Sequence, residues 1–124
     1  MLTIRDAQLA ALGRAHDERT DERICAHLWA IWPSRCERMG AGGLRHFTAA
    51  CREKARGHGA VQWGDLARFA GVALFLGVDF DLDPGFPWAR EILDAPAPTP
   101  TVKVDRLVRA LDAWIDAQAG GNAV

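Results

Sequence analysis

Residues 62–76 read QWGDLARFAGVALFL, and the fold turns on them. Leu66, Phe69, Ala70, Val72, Ala73, Phe75 and Leu76 leave little polar face, interrupted only near Asp65 and Arg68. At about 100° per residue such a segment is apolar nearly all round, which predicts a helix buried on most sides. Gly77 ends it. The apolar run FAGVALFLGV at 69–78 is roughly half of the ~20 residues that a membrane-spanning helix requires. A buried core helix is therefore expected, placed at the centre of a bundle.

Downstream, VDFDLDPGFPWAREILDA at 78–95 reads as a loop followed by a short helix from Pro87 to Asp94. Pro87 suits a first helical turn, and Trp88 can pack back onto the core. APAPTP at 95–100 favours extended polyproline II, a semi-rigid strap across the surface. Thr101 then caps a last helix with the stripe Val104, Leu107, Val108, Leu111 and Ile115. Gly120 and Gly121 end it, and residues 120–124 are expected to fray.

Upstream, Leu44, Phe47, Cys51 and Ala55 recur at spacings of 3 and 4, which predicts a helix to about Arg56, stopped by Gly57 and Gly59. Its outer face carries Arg45, Arg52, Lys54 and Arg56 against Glu53 alone. Gly40, Gly42 and Gly43 predict a turn before it, and Pro33 opens a short helix through Met39. Thr3 is a candidate N-cap for a helix starting near Ile4. Ile4, Leu9 and Leu12 share one face, whereas Ile24, Leu28 and Ile31 lie a quarter turn or more away. The segment is either one long helix or two helices broken near residues 16–20, and it ends at Trp32-Pro33.

No stretch alternates with period 2, no Asn-Gly or Asp-Gly hairpin turn appears, and no repeat of 20–50 residues is visible. The expected fold is all-α, a single-domain irregular bundle of five to six helices over residues 1–124.

Composition narrows the function classes. The chain has 124 residues, the size of one domain, with 49% hydrophobic and 25% charged residues, which excludes a disordered chain. Fifteen Lys and Arg face sixteen Asp and Glu, too balanced for a general nucleic-acid binder. The balance is uneven along the chain: net +3 over residues 1–60 and net −4 over residues 61–124. Complementary solvated helix faces explain so mild an asymmetry. The start, MLTIRDAQLAAL, lacks the apolar core of a secretory signal. With three Cys and no CxxC pair, neither a disulfide scaffold nor a zinc module is expected, and the cytoplasm is the expected compartment.

Candidate chemistry is sparse. Asp79, Asp81 and Asp83 share the spacing that opens an EF-hand loop, but its sixth position is Pro84 rather than glycine and its twelfth is Arg90 rather than glutamate. Asp83 is expected instead to cap the turn at Pro84-Gly85. A small metal-dependent enzyme or regulator using residues 79–83 is the alternative from another class. His16, His27, His46 and His58 form no HxxxH or HExxH pair. Cys25 and Cys51 lie on or beside apolar stripes, where a free thiol is an inert small hydrophobe. No GxSxG, P-loop or GxGxxG occurs, so no enzyme activity, metal or cofactor is expected. The spacing around 57–65 resembles a helix-turn-helix, but its second helix is the buried one.

Five Trp and no Tyr stand out. Trp29, Trp63 and Trp114 sit at the edges of their stripes, and an exposed Trp beside Arg is the usual composition of a binding hot spot. Exposure of Trp29 or Trp114 also points to a homodimer, since large apolar patches tend to be covered.

The strings CAHLWAIWPSRCERMGAGGLRHF at 25–47, LFLG at 74–77 and DFDLDPGFPWAREIL at 79–93 resemble a family of small, all-helical bacterial proteins. Its members are encoded beside type VI secretion spike, PAAR-tip and polymorphic-toxin genes. The resemblance covers roughly residues 3–93. The family's first helix usually carries an aromatic where Thr20 stands here. The resemblance implies an adaptor or chaperone-like accessory that holds an effector, toxin or spike protein; the charge balance and the short apolar run add the expectation of no nucleic acid or membrane partner. The alternative is an immunity protein that neutralises a cognate toxin. The expected partner-binding residues are Arg45, Arg52 and Arg56 with Trp63, and Asp79, Asp81, Asp83 and Trp88 of the acidic loop.

Overall fold

A computed structural model describes residues 3–122. Among them the chain is all-α, with five helices: α1 (Ile4–Ile31), α2 (Pro33–Gly57), α3 (Trp63–Leu76), α4 (Pro87–Asp94) and α5 (Pro100–Asn122). The contacts divide the chain into two compact units, Met1–Ala49 and Ala50–Val124.

In the first unit, α1 is one unbroken helix. Thr3 and Asp6 open it with a reciprocal capping box: the Asp6 amide donates to Thr3 Oγ1 and the Thr3 amide to Asp6 Oδ2, each at 3.1 Å. The Thr3 amide is the main reason the Asp6 carboxyl lies below the usual aspartate value. The polar residues 16–20 do not interrupt the helix. Only Asp21, Ile24 and Leu28 of α1 are buried. Ile4, Leu9 and Leu12 are exposed.

The expected short helix and glycine turn at 33–43 take a tighter form. α2 runs through them with a single kink at Gly40, at φ 76° and ψ 161°, a conformation essentially confined to glycine. Gly42 and Gly43 are helical. Cys36, Leu44 and Thr48 are the buried residues of this part of α2. The Cys25 thiol donates to Thr48 Oγ1 at 3.3 Å and so ties α1 to α2.

In the second unit, α2 ends on a Schellman arrangement. The Ala60 amide reaches back to the Ala55 carbonyl at 3.0 Å and the Gly59 amide to that of Arg56 at 2.9 Å. Gly59 supplies the positive φ of 91° that this turn demands. α3 is the expected buried helix, with residues 65–67 and 69–73 out of solvent. α5 packs against α3 and α4, and Val104, Leu107 and Leu111 are the fully buried part of its stripe.

Two expectations for α5 change. Thr99, not Thr101, caps it: Thr99 Oγ1 accepts from the Val102 amide at 3.2 Å, and Pro100 takes the first helical position. The helix also continues through Gly120 and Gly121 to Asn122, where the chain was expected to fray. Residues 123–124 lie outside the described residues. The strap between α4 and α5 is bridged from α5, with Lys103 Nζ donating to Leu93 O near the end of α4 at 2.7 Å and Arg106 to Pro96 O of the strap at 3.3 Å. Trp29 and Trp32 belong to the first unit, and Trp63, Trp88 and Trp114 to the second.

Candidate interaction surfaces

The segment 77–86 is a tight loop because its own backbone closes it. Amides at Phe80, Leu82, Asp83 and Phe86 each donate three residues back. Phe80 enters the core, with its ring centroid 5.2 Å from that of Phe69. The flanking carboxylates turn to the end of α2. Lys54 Nζ lies 2.8 Å from Asp79 Oδ1 and 2.7 Å from Asp81 Oδ1, and His58 Nε2 lies 3.8 Å from Asp81 Oδ2. Asp83 does what its place before Pro84-Gly85 predicts: its Oδ1 accepts from the Gly85 amide at 2.8 Å. The three carboxylates of the DxDxD spacing thus serve an ion pair and a turn. Among the described residues no group of three or more His, Cys, Asp or Glu gathers to hold a metal ion.

Burial opposes the charge on Lys54, but hydrogen bonds to Asp79 and Asp81 outweigh it and hold its pKa above the ordinary lysine value. A raised folded-state value means that the pair stabilises fully below the unfolded value, 10.5, and that this contribution fades as pH climbs through the folded value. Lys54→Met is therefore expected to lose about 1 kcal/mol at neutral pH, the scale of a partly exposed pair. The gap from wild type should shrink in strong alkali. Urea midpoints of both proteins at about pH 8 and about pH 11 check this. A gap that widens with pH would be wrong for this pair.

The expected basic face of α2 is split. Arg45 is exposed. It lines a groove of about 440 Å³ in the first unit with Glu18, Asp21, Glu22 and His46, left open by the missing side chain of Gly42. Arg52 is buried, not outward, and pairs with Glu53. It stands beside the buried row of Thr48, Cys51 and Ala55, so its stem lies on the covered side of the helix. Lys54 is drawn to the aspartate loop. Arg56 is half-buried, 3.9 Å from Glu53. Trp63, at the start of α3, is exposed beside exposed Val61.

The acidic loop borders a second groove, of about 490 Å³, between its turn and α4, lined by Asp81, Asp83, Pro87, Arg90, Glu91 and Asp94. Trp88 is half-buried. Its ring stands edge-on to Phe86 at 6.2 Å, and Phe86 stands edge-on to Trp114 at 5.4 Å. Trp88 Nε1 is buried with no hydrogen-bond partner among the described residues.

The residue pattern did not reveal the link between α3 and α5. Asp65 is buried; its Oδ2 accepts from Thr101 Oγ1 at 2.7 Å and its Oδ1 from Arg68 at 3.1 Å. Arg68 also reaches Asp105 at 3.4 Å, and Asp105 pairs with Arg109 at 3.3 Å. The signal was present in Asp65 and Arg68, three apart on an otherwise apolar helix. Cys36 and Cys51 behave as small hydrophobes: burial pushes the Cys51 thiol up to about 12 and raises that of Cys36.

No helix among the described residues is long and apolar enough to cross a membrane. Comparison with known protein families, curated proteins and solved structures finds no match to this chain.

Proposed function

We propose that this chain is a non-enzymatic protein-binding accessory that acts in the cytoplasm as an adaptor or chaperone-like holder. Its cargo would be an effector, toxin or spike component of a type VI-like secretion system. The observation that carries the binding half is the exposure of large apolar side chains along one helix: Leu9 57%, Leu12 64%, Trp29 45% and Ile31 49%. Tryptophan is a usual anchor of an interface, and exposed large apolar side chains of the Leu and Ile kind are better covered than left in water. The secretion half rests on the sequence resemblance across residues 25–47 and 79–93.

Co-expression with candidate spike, PAAR and toxin proteins tests both halves. The expected result is a stoichiometric complex on size exclusion. Trp29→Ala should weaken that complex by about tenfold or more without moving the melting temperature. Rescue of growth by this chain alone, in cells making an active toxin, would mark an immunity protein and overturn the adaptor reading. So would the absence of a complex with any of these proteins.

A further inference from the structure

We infer that the outward row Arg5, Leu9, Leu12, His16 and Arg19 of α1 is the seat for an acidic amphipathic helix of a partner protein. The inference deepens the protein-binding reading and rests on it.

The five residues recur at spacings of 4, 3, 4 and 3, the repeat that makes one continuous seam on a helix. All five are exposed. The side of α1 that is buried, at Asp21, Ile24 and Leu28, lies roughly 130° around the axis from this row at 100° per residue. The helix therefore has two working sides. One is covered within its own unit, and the other is an apolar pair with Arg5 one turn before it and Arg19 two turns after it.

The shape of the seat selects its occupant. Residues 3–14 are exposed on every side of the helix, so the seat is a convex rod rather than a pocket. A rod with a 4–3 seam is matched by another helix, whose side chains fit between its own.

Charge selects the occupant further. The row carries Arg5 and Arg19 and no carboxylate. A second copy laid parallel and in register would set Arg5 against Arg5 and Arg19 against Arg19. A second copy laid antiparallel, with Leu9 against Leu12, would set Arg5 against His16 at both ends. The parallel pairing sets like charges across the seam, which selects against it, and the antiparallel pairing leaves Arg5 without a carboxylate. The complementary helix has two large apolar residues three apart and a carboxylate about one turn before the first of them. A second carboxylate lies about two turns after the last. It is an acidic helix on another protein.

The test uses the full chain and a fluorescent alanine- and glutamine-based helical peptide roughly six turns long. The peptide carries Leu in the two layers facing Leu9 and Leu12, and Glu in the layers facing Arg5 and Arg19. A control peptide has Lys in place of both Glu. Fluorescence anisotropy is expected to show the acidic peptide bound about tenfold or more tightly than the basic one. The double variant R5E/R19E should invert that preference, and L9S/L12S should weaken both peptides. All of these positions are exposed, so melting temperatures should stay at the wild-type value.

Equal binding of the two peptides, binding of neither, or a preference unmoved by R5E/R19E would overturn the seat. So would a concentration-dependent dimer that R5E/R19E alters in sedimentation. Uptake of the chain by phosphatidylglycerol vesicles, with neither peptide bound, would overturn it in favour of a membrane. If R5E/R19E still forms the co-expressed complex at wild-type strength, the protein-binding reading stands and only this seat falls. If neither complex nor peptide binding is seen, both fall.

Discussion

Truncation of Phe80 to alanine is expected to cost about 3–5 kcal/mol, the range for an aromatic removed from a filled core. Phe80 is 0% exposed although it belongs to a loop. Its ring meets Phe69 in a tilted contact, and Phe69 lies at the middle of the most buried helix. The other ties of the loop are the Lys54 pairs with Asp79 and Asp81 and the ring contacts of Phe86, whereas Leu82 is exposed and Asp83 closes a surface turn. In a unit of this size each kcal/mol moves the melting temperature by about 4–8 °C, so a fall of at least about 12 °C is expected in a thermal melt. Leu82→Ala is the control and should leave stability within about 0.5 kcal/mol of wild type. If Phe80→Ala lost less than about 1 kcal/mol, Phe80 would not be the anchor of this loop.

The second large effect is expected at Asp65. Asp65→Ala removes a buried acceptor that serves both the Thr101 hydroxyl and the Arg68 guanidinium. Hydrogen bonds to a charged group are worth about 1.5–3 kcal/mol, and removal of one partner leaves the others poorly placed. A loss of about 3 kcal/mol in urea unfolding is expected. Asp65→Asn keeps an oxygen for Thr101 and should fall between alanine and wild type. Thr101→Val keeps the shape but removes the donor, and should cost about 1–2 kcal/mol. If asparagine proved as damaging as alanine, charge rather than the Thr101 bond would be the source of the stabilisation.

The helices were legible because their boundaries are written in proline, glycine and period. Trp32-Pro33, Gly77 and Pro87 each fall where an element begins or ends. What the sequence left open has specific physical causes. Three glycines at 40–43 all permit a turn, and composition does not reveal which one takes a positive φ. Two threonines flank Pro100, and either hydroxyl can cap. Proline's fixed φ and missing amide hydrogen fit the first helical position, which makes Thr99 the cap and frees Thr101 for Asp65. The polar stretch at 16–20 suggested a break in α1, yet polar residues that face water do not end a helix.

The surfaces were less legible, because a charged residue's role depends on partners far along the chain. Lys54 finds its carboxylates 25 and 27 residues away, a distance at which spacing carries no signal. Arg52 looks outward by composition and is buried by its neighbours. The row on α1 was visible only in part. Leu9 and Leu12 were grouped only with Ile4, when their period with Arg5, His16 and Arg19 describes a second side of the same helix.

The distribution of tryptophan gives each unit its own optical label. The chain has five tryptophans and no tyrosine, so light absorbed in the indole band is emitted by tryptophan alone. Replacing Trp29 and Trp32 with phenylalanine leaves Trp63, Trp88 and Trp114 to report on Ala50–Val124 alone. The complementary triple replacement leaves the first unit to report on itself. Coincident unfolding midpoints from the two variants would mean one cooperative transition through the chain; separate midpoints would mean that each unit melts on its own terms.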